Sequence, residues 1–344
     1  MGTAGVAHAA GRRPRSRRLV PAVALLALVA PLAAGAQAPS AKVHRIAILA
    51  YPSVPNPQTA AGIEAFRRGL RELGWVEGRN IVIEVRQTER ERLDEAAARI
   101  VSERFDLIVA VANPSGLAAK KATATIPIVM ATSADPVGSG LVDGLARPGG
   151  NVTGLSLVMQ ELPGKRLELL KKLVPRLGPV AALYPETTAS LPFIVQWVRD
   201  NERAAKALGL TLRPVAWKEP VDWDATFEAV KRDGVRALTV VESPVASALA
   251  PEIAAAALRH RLPTVFGIRA HVEAGGLMAY GASIAELWRR APTYVDKILR
   301  GTKPAELPVE QPTKFELMIN AKTAKALGLT IPAVLRLQAT EVLD

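Results

Sequence analysis

Polar side chains stand at the predicted ends of strands, in two sets about 130 residues apart. The first set is Tyr51, Ser53, Asn113, Pro114, Ser115, Thr132, Ser133 and Asp135, and the second is Glu186, Thr187, Glu242, Ser243 and Arg269. Apart from the proline, they supply hydroxyl, amide, carboxyl and guanidinium groups and one aromatic ring. Groups of this kind hold a small polar or zwitterionic solute, so we expect these residues to bind a ligand.

Several of these residues also have a purely structural explanation, which the sequence leaves open. Ser115 and Ser133 could cap helices, because a serine side chain accepts bonds from the first helical N–H groups. Tyr51 could pack at a strand end, as could Tyr184 in the second set. Arg269 could clamp a carboxylate or form a surface ion pair. The tryptophans, in contrast, are predicted to pack in the core or on the surface rather than in a site.

The sequence contains no pattern that predicts catalysis. A Gly-x-Ser-x-Gly elbow, a P-loop and a Gly-x-Gly-x-x-Gly turn after a strand are all absent. After residue 36 the histidines are His44, His260 and His271, which are far apart and lack metal-ligand spacing. We therefore predict no enzyme activity, no metal and no cofactor.

A glycine-rich stretch, Ala146 to Ser156, looks at first like a phosphate cradle. Such a cradle leads into a helix, whose N-terminal N–H groups face the anion. Here an apolar strand follows instead, and the stretch nearly recurs at Glu273 to Ser283. We interpret each Gly-Gly as the turn into the last strand of one repeat, since glycine tolerates positive φ.

The repeat extends through most of the chain and predicts the fold class. "RIAILAYPSV" (45–54) and "VAALYPETT" (180–188) are both strands stopped by Tyr-Pro, and an amphipathic run and a glycine follow each. Strands that are apolar on both sides alternate with helices, which indicates parallel sheets covered on both faces. We predict two doubly wound α/β domains, 42–157 plus about 283–300 and 160–280 plus about 304–344, with a hinge and a cleft between them.

The first 36 residues differ in composition from the rest. Five arginines and no acid precede the apolar run Leu19 to Leu32, and Ala34-Gly35-Ala36 fits a cleavage site. This pattern is typical of an export signal, so residues 1–36 are predicted to be removed. The chain has no cysteine, which excludes disulfides and a lipid anchor on cysteine.

The net charge of +12 does not indicate nucleic-acid binding. Five of the positive charges belong to the predicted signal, and the others are interleaved with acids along helical segments. No basic run with aromatic residues between its charges is present. We expect a periplasmic or otherwise exported protein, monomeric and without a nucleic-acid partner.

Longer motifs resemble a known family. "LGWVEGRNIVIE", "TIPIVMATSADPVGSGLV", "RPGGNVTGLS", "KRLELLKKLVP", "EAGGLMAYG" and "QPTKFELMINAKTAKALGLTIP" are similar to periplasmic solute-binding proteins of ABC transporters of the tryptophan/tyrosine type. The resemblance implies a type I periplasmic-binding-protein fold, a solute such as an amino acid, aromatic or otherwise, and delivery to a membrane permease. It places the cleft at Tyr51 to Val54, Asn113 to Ser115, Thr132 to Asp135, Glu186, Glu242-Ser243 and Arg269. Asn113-Pro114-Ser115 departs from the glycine- or threonine-rich turn expected there.

Two alternatives share this fold class. A ligand-sensing domain of a transcription regulator would need a helix-turn-helix before Lys42, where an export signal stands instead. An exported enzyme would need a nucleophile with a base, or a metal cluster. In the transport interpretation the cleft closes on the solute, and a solute carboxylate is predicted to meet helix N-termini near Ser115 or Ser133, or Arg269.

Overall fold

The computed structural model describes residues 42–51, 57–157 and 162–344. The predicted export signal and Ser53 lie outside these residues. The strands are β1 (His44–Ala50), β2 (Ile81–Gln87), β3 (Leu107–Val111), β4 (Ile128–Ser133), β5 (Val152–Ser156), β6 (Val180–Pro185), β7 (Leu212–Trp217), β8 (Ala237–Val240), β9 (Thr264–Phe266), β10 (Met278–Ala282), β11 (Phe315–Asn320) and β12 (Glu341–Leu343).

Helices connect most of these strands. They are α1 (Pro57–Glu72), α2 (Leu93–Ser102), α3 (Ala112–Ala122), α4 (Pro163–Leu173), α5 (Pro192–Ala207), α6 (Trp223–Arg232), α7 (Pro244–Ala248), α8 (Ala250–Arg259), α9 (Arg269–Glu273), α10 (Ile284–Leu299), α11 (Ala321–Ala326) and α12 (Ala333–Gln338). Short 3₁₀ turns lie at Arg90–Arg92, Glu186–Thr188 and Pro304–Glu306.

The N-terminal sheet has the strand order β2-β1-β3-β4-β5, and its strands are parallel. Successive side chains of β1 point to opposite faces. Ile46 and Ile48 pack with Phe66 of α1, whereas Ala47 and Leu49 pack in a separate cluster with α2 and α3. Both faces are therefore buried, as the continuous apolar strands predict.

The C-terminal sheet has the order β12-β11-β10-β9-β8-β6-β7. Its strands are parallel except for β10 and β11, which pair antiparallel. Trp197, Phe227 and Ile253 of α5, α6 and α8 cover one face, and Leu167 and Leu170 of α4 belong to the cluster on the other face. The predicted class, two parallel-dominated α/β sheets, is confirmed.

The glycine turns have the predicted geometry, with one correction. Gly149 and Gly275 take φ values of +87° and +106° and stand just before β5 and β10. However, β10 is not the last strand of its sheet, because β11 and β12 extend the sheet beyond it. The chain reaches them after α10, which packs on α1 and the N-terminal sheet. The exact domain boundaries given above remain a proposal.

Candidate ligand-binding site

A cavity lies where the carboxyl ends of the two sheets face each other, which is where open parallel sheets bind ligands. The space between its walls measures about 570 Å³. This volume lies in the range typical of small-molecule sites. Its lining comprises Tyr51, Gln58, Thr59, Val111, Ala112, Asn113, Thr132, Ala134, Leu157, Phe193, Glu242, Ser243, Pro244, Ser247, Ile268, Ile284 and Trp288.

The wall on the N-terminal sheet is organised by Asn113. Helix α3 begins directly after β3, and Ala112 makes this sharp junction with a φ of +63°, a strained value for a residue other than glycine. The buried Asn113 Oδ1 accepts bonds from Ser133 Oγ at 3.0 Å and from the N–H of Ala134 at 2.7 Å. Its Nδ2 donates to the carbonyl of Asp135 at 3.3 Å. The Asn113 amide thus ties the end of β3 to the end of β4.

Several predicted residues support this wall from behind rather than line the cavity. Ser133 is not a helix cap, because its hydroxyl donates to Asn113. Asp135 Oδ1 accepts from the N–H of Gly138 at 2.8 Å and so holds the following turn. Ser115 and Pro114 are buried in the first turn of α3.

The wall on the C-terminal sheet is organised by Glu242 and Ser243, which follow β8. Ser243 caps α7, since its hydroxyl accepts from the N–H of Ala246 at 3.1 Å. Glu242 is buried and forms an ion pair through Oε1 with Arg166. Its other carboxylate oxygen, Oε2, is buried and has no hydrogen-bond partner among the described residues. This wall therefore presents an unused acceptor.

Aromatic rings from both halves contribute much of the apolar lining. Trp288 of α10 packs edge-on against Phe66, with ring centroids 6.3 Å apart, and Phe193 comes from the start of α5. Burial raises the pKa of the Tyr51 hydroxyl, against the opposing effect of the Arg90 charge, so Tyr51 is a neutral phenol at physiological pH. The cavity thus combines polar groups with flat apolar surfaces, as small-molecule sites do.

The remaining predicted residues lie outside the cavity. Glu186 and Thr187 form a 3₁₀ turn after β6, where the Thr187 carbonyl accepts a bond from Arg90 Nη1 at 2.8 Å. Because Arg90 follows β2, this bond joins the two sheets. Arg269 is paired with Glu273 at 2.6 Å and Glu341 at 2.8 Å, so it forms the surface ion pairs that the sequence left open. Five predicted residues do meet at the cavity: Tyr51, Asn113, Thr132, Glu242 and Ser243.

Other lining residues were not predicted from the sequence. Gln58 and Thr59 begin the helix after the Tyr51 segment, and a search of helix starts as well as strand ends would have found them. The sequence assigns Trp288 to packing, but this residue lies on the face of α10 that also borders the cavity. In the parts of the chain that the structure describes, no cluster of three or more metal-ligating side chains occurs. No helix found there is long and apolar enough to cross a membrane.

Residues 45–343 match the family model described as "ABC transporter substrate binding protein". The chain belongs to this family. This substrate-binding protein is also 28% identical, over 80% of its length and 79% of the relative's, to a "Tyrosine-binding protein" of Clostridioides difficile strain R20291. Since the family binds small solutes outside the cytoplasm and works with a transporter, the protein is a solute-binding receptor.

Two solved structures bear on the arrangement of the sheets in this substrate-binding protein. An "ABC domain in complex with L-Trp" from Streptococcus pneumonia is 26% identical with a TM-score of 0.78, covering 88% of this chain and 100% of that one. A "ligand-free, open" substrate-binding protein with adhesive properties from Clostridium difficile is 25% identical with a TM-score of 0.65, covering 88% and 99%. At equal coverage, the structure is more similar to the ligand complex than to the open form.

Proposed function

We propose that the protein captures a zwitterionic amino acid with an aromatic side chain and passes it to the permease of an ABC importer. The observation that carries this proposal is Glu242 Oε2, a buried carboxylate oxygen without a partner among the described residues, at the wall of a cavity rich in aromatic rings. The names of the relatives, one tyrosine-binding and one in complex with L-Trp, support the same class of solute.

The ammonium group of the solute would donate to Glu242 Oε2. Hydrogen bonds to charged groups are stronger than those between neutral groups, so this contact would dominate recognition. Because Arg166 already neutralises Glu242, the pair as a whole carries no net charge. A zwitterion enters such a cavity without leaving an uncompensated charge, whereas a simple cation or anion would not.

The solute carboxylate would meet the first turn of α1. Gln58 and Thr59 lie there on the cavity wall, and the turn contains no acidic residue to repel an anion. The dipole at a helix start favours negative charge. This assignment replaces the predicted carboxylate contacts at Ser115, Ser133 and Arg269, none of which lines the cavity.

Closure would follow from contacts that exist only when the halves are together. Arg90 Nη1 donates to the Thr187 carbonyl from one half of the molecule to the other. A solute that touches both walls binds the closed form better than the open form, and this difference shifts the population towards closure. We further propose a monomeric, non-catalytic receptor that is exported and cleaved after Ala36, so that sequencing of native material would find Gln37 first.

The solute can be identified with protein purified without refolding. Native mass spectrometry would show what is retained, and thermal-shift titration would compare L-tyrosine, L-tryptophan, L-phenylalanine and L-leucine with ribose as the control. Ligand at 100 times its Kd should stabilise the protein by about 2.7 kcal/mol. A stabilisation by aromatic amino acids is expected. No response to any amino acid, with a sugar retained in the native spectrum, would contradict the proposal.

A further inference from the structure

Arg166 is one of the largest fully buried side chains in the described structure, with a relative exposure of 1%. It lies on α4, whose other buried residues are mostly leucines. Arginine is almost never fully buried without partners. Here Nε donates to the Tyr280 carbonyl at 2.7 Å, and Nη2 pairs with Glu242 Oε1. Arg166 therefore connects α4 to the wall of the ligand cavity.

Gly267 makes room for this ion pair, and Gly281 lets the backbone of β10 approach Gly267 closely. A Cβ atom added at Gly267 would lie 1.9 Å from Glu242 Oε1, closer than any real contact. One added at Gly281 would lie 1.9 Å from the Gly267 carbonyl oxygen and 3.4 Å from Arg166 Nη2. Gly267 cannot carry a side chain while Glu242 is in place, whereas Gly281 cannot carry one because the Gly267 backbone lies against it. The backbone after β9 thus leaves the space that the Glu242 carboxylate occupies.

The pair leaves one oxygen for the cavity. Oε1 of Glu242 is held by Arg166, whereas Oε2 has no partner among the described residues and is buried. If Arg166 were absent, the Glu242 carboxylate would be alone in a buried site. It would then take up a proton or favour any cation that could reach it, with or without a carboxylate of its own.

We propose that Arg166 is a positioning residue that makes the cavity selective for zwitterions over simple amines. It turns Glu242 Oε2 towards the solute and cancels the charge of the carboxylate, so that an ammonium group is accepted only together with a compensating carboxylate. This inference rests on the proposed function, because it specifies how the amino-acid site discriminates among solutes.

Calorimetry with three matched probes tests the inference. L-Tyrosine carries both charges, tyramine only the ammonium, and 3-(4-hydroxyphenyl)propionate only the carboxylate. Wild-type protein should bind tyrosine at least 100-fold more tightly than tyramine. In Arg166→Met the affinity for tyrosine should fall about 10-fold or more while that for tyramine falls less or rises, so the preference shrinks at least 10-fold. Arg166→Lys should restore most of the preference.

Two further variants separate positioning from a merely structural role. Lys165→Met changes the neighbouring residue, whose side chain pairs with Glu168 on the surface, and should leave all three affinities unchanged. The double variant Arg166→Met/Glu242→Leu removes both charges and should bind tyrosine no more weakly than Glu242→Leu alone. If Arg166→Met does not fold, the double variant can still be measured, because apolar replacement of a whole buried ion pair is often tolerated.

Different results overturn the two proposals. If wild-type protein binds neither L-tyrosine nor L-tryptophan, the proposed function is wrong. If wild-type protein prefers tyrosine but Arg166 variants lose affinity for all three probes by the same factor, Arg166 is only structural. An equal loss from Arg166→Met with and without Glu242 would also show that Arg166 is only structural.

Discussion

The two walls of the cavity use the same position of the repeat for different purposes. Asn113 and Glu242 both follow a buried strand and are buried, Asn113 in the first turn of α3 and Glu242 just before α7. The Asn113 side chain bonds to Ser133, Ala134 and Asp135 of its own sheet. Glu242 uses one oxygen to bind Arg166 and leaves the other without a partner among the described residues. Thus Asn113 stabilises its wall, whereas Glu242 has capacity left for a ligand.

This difference explains how a duplicated fold can bind an asymmetric solute. Identical walls would offer the same groups to both ends of a ligand. Under the proposed function, the C-terminal half would contribute a carboxylate for the ammonium group, and the N-terminal half would contribute a helix start and a rigid frame. Substitution of Glu242 should therefore lower both affinity and stability, whereas substitution of Asn113 should act mainly on stability.

Glu242→Ala should have the largest effect. It removes the ammonium contact, which should weaken amino-acid binding by about 1.5–3 kcal/mol, and it leaves Arg166 buried without its partner, which should cost about 3–5 kcal/mol of stability. Calorimetry and urea unfolding measure the two losses. Unchanged affinity in a folded variant would mean that the ligand lies elsewhere.

A pH-dependent change in stability is expected from His271 in the C-terminal half. Burial lowers the pKa of His271 from 6.5 to about 4, and its ring stacks on Phe266 at 4.7 Å. Below pH 6.5 the unfolded chain binds a proton that the folded protein refuses, so stability present above pH 6.5 should fall by roughly 3 kcal/mol towards pH 4. His271→Phe should flatten this part of the stability profile. If the stability of His271→Phe falls with decreasing pH as steeply as that of wild type, His271 is not the cause of the pH dependence.

Asn113→Ala should act mainly on stability. It removes three buried hydrogen bonds between β3 and β4, at a cost of about 2–3 kcal/mol in the free energy of unfolding. Thermal unfolding without ligand checks the cost, and calorimetry should show a smaller loss of affinity than for Glu242→Ala. A larger loss of affinity for Asn113→Ala than for Glu242→Ala would contradict the proposed difference between the two walls.

Arg90→Ala should loosen the closed form. The lost bond to the Thr187 carbonyl is solvent-exposed, so about 1 kcal/mol is expected, or roughly a fivefold lower affinity through faster release. Stopped-flow measurement of ligand release tests this. Arg92→Ala is the matched control, because Arg92 pairs with Glu95 within the same half. Equal release rates in wild type, Arg90→Ala and Arg92→Ala would show that the bond between Arg90 and Thr187 does not stabilise the closed form.

The smallest effect should come from Arg269→Ala. Its ion pairs with Glu273 and Glu341 lie near the surface, where each contributes little. We expect a change within about 0.5 kcal/mol in stability and an affinity within about twofold of wild type. A large loss of affinity would restore Arg269 to the site, as the sequence first suggested.

The two sheets could be predicted from the sequence because the apolar pattern of a strand depends directly on which of its faces are buried. A strand such as Leu107–Val111 is apolar on both sides, and only a covered parallel sheet requires that. The antiparallel strand β11 and the short β12 were not predicted. Residues of β11 and β12 such as Glu316 and Glu341 weaken the apolar pattern, and the pairing of β12 joins residues 318–320 to 341–343.

The candidate site was predictable only in part. Glu242 and Thr132 follow from the rule that strand ends face the ligand. Arg269 fits the same rule, yet its side chain is paired with Glu341, 72 positions further along. Arg166 lies in a charged stretch, "GKRLELLKK", which is typical of a solvent-facing helix. Its burial depends on Glu242 and on the space left by Gly267, both far away in the sequence, so no local pattern could reveal it.

Closure of the cleft by an amino acid that joins the two walls can be measured directly as a distance. Because the chain has no cysteine, Glu95→Cys and Lys218→Cys would place two spin labels specifically, one in α2 of the N-terminal half and one directly after β7 of the C-terminal half. Pulsed electron paramagnetic resonance would compare the label distances with and without the aromatic amino acid. We expect a shift to shorter distances in saturating ligand that Glu242→Ala abolishes at the same ligand concentration. An unchanged distribution in protein that calorimetry shows to be fully bound would contradict closure by the solute.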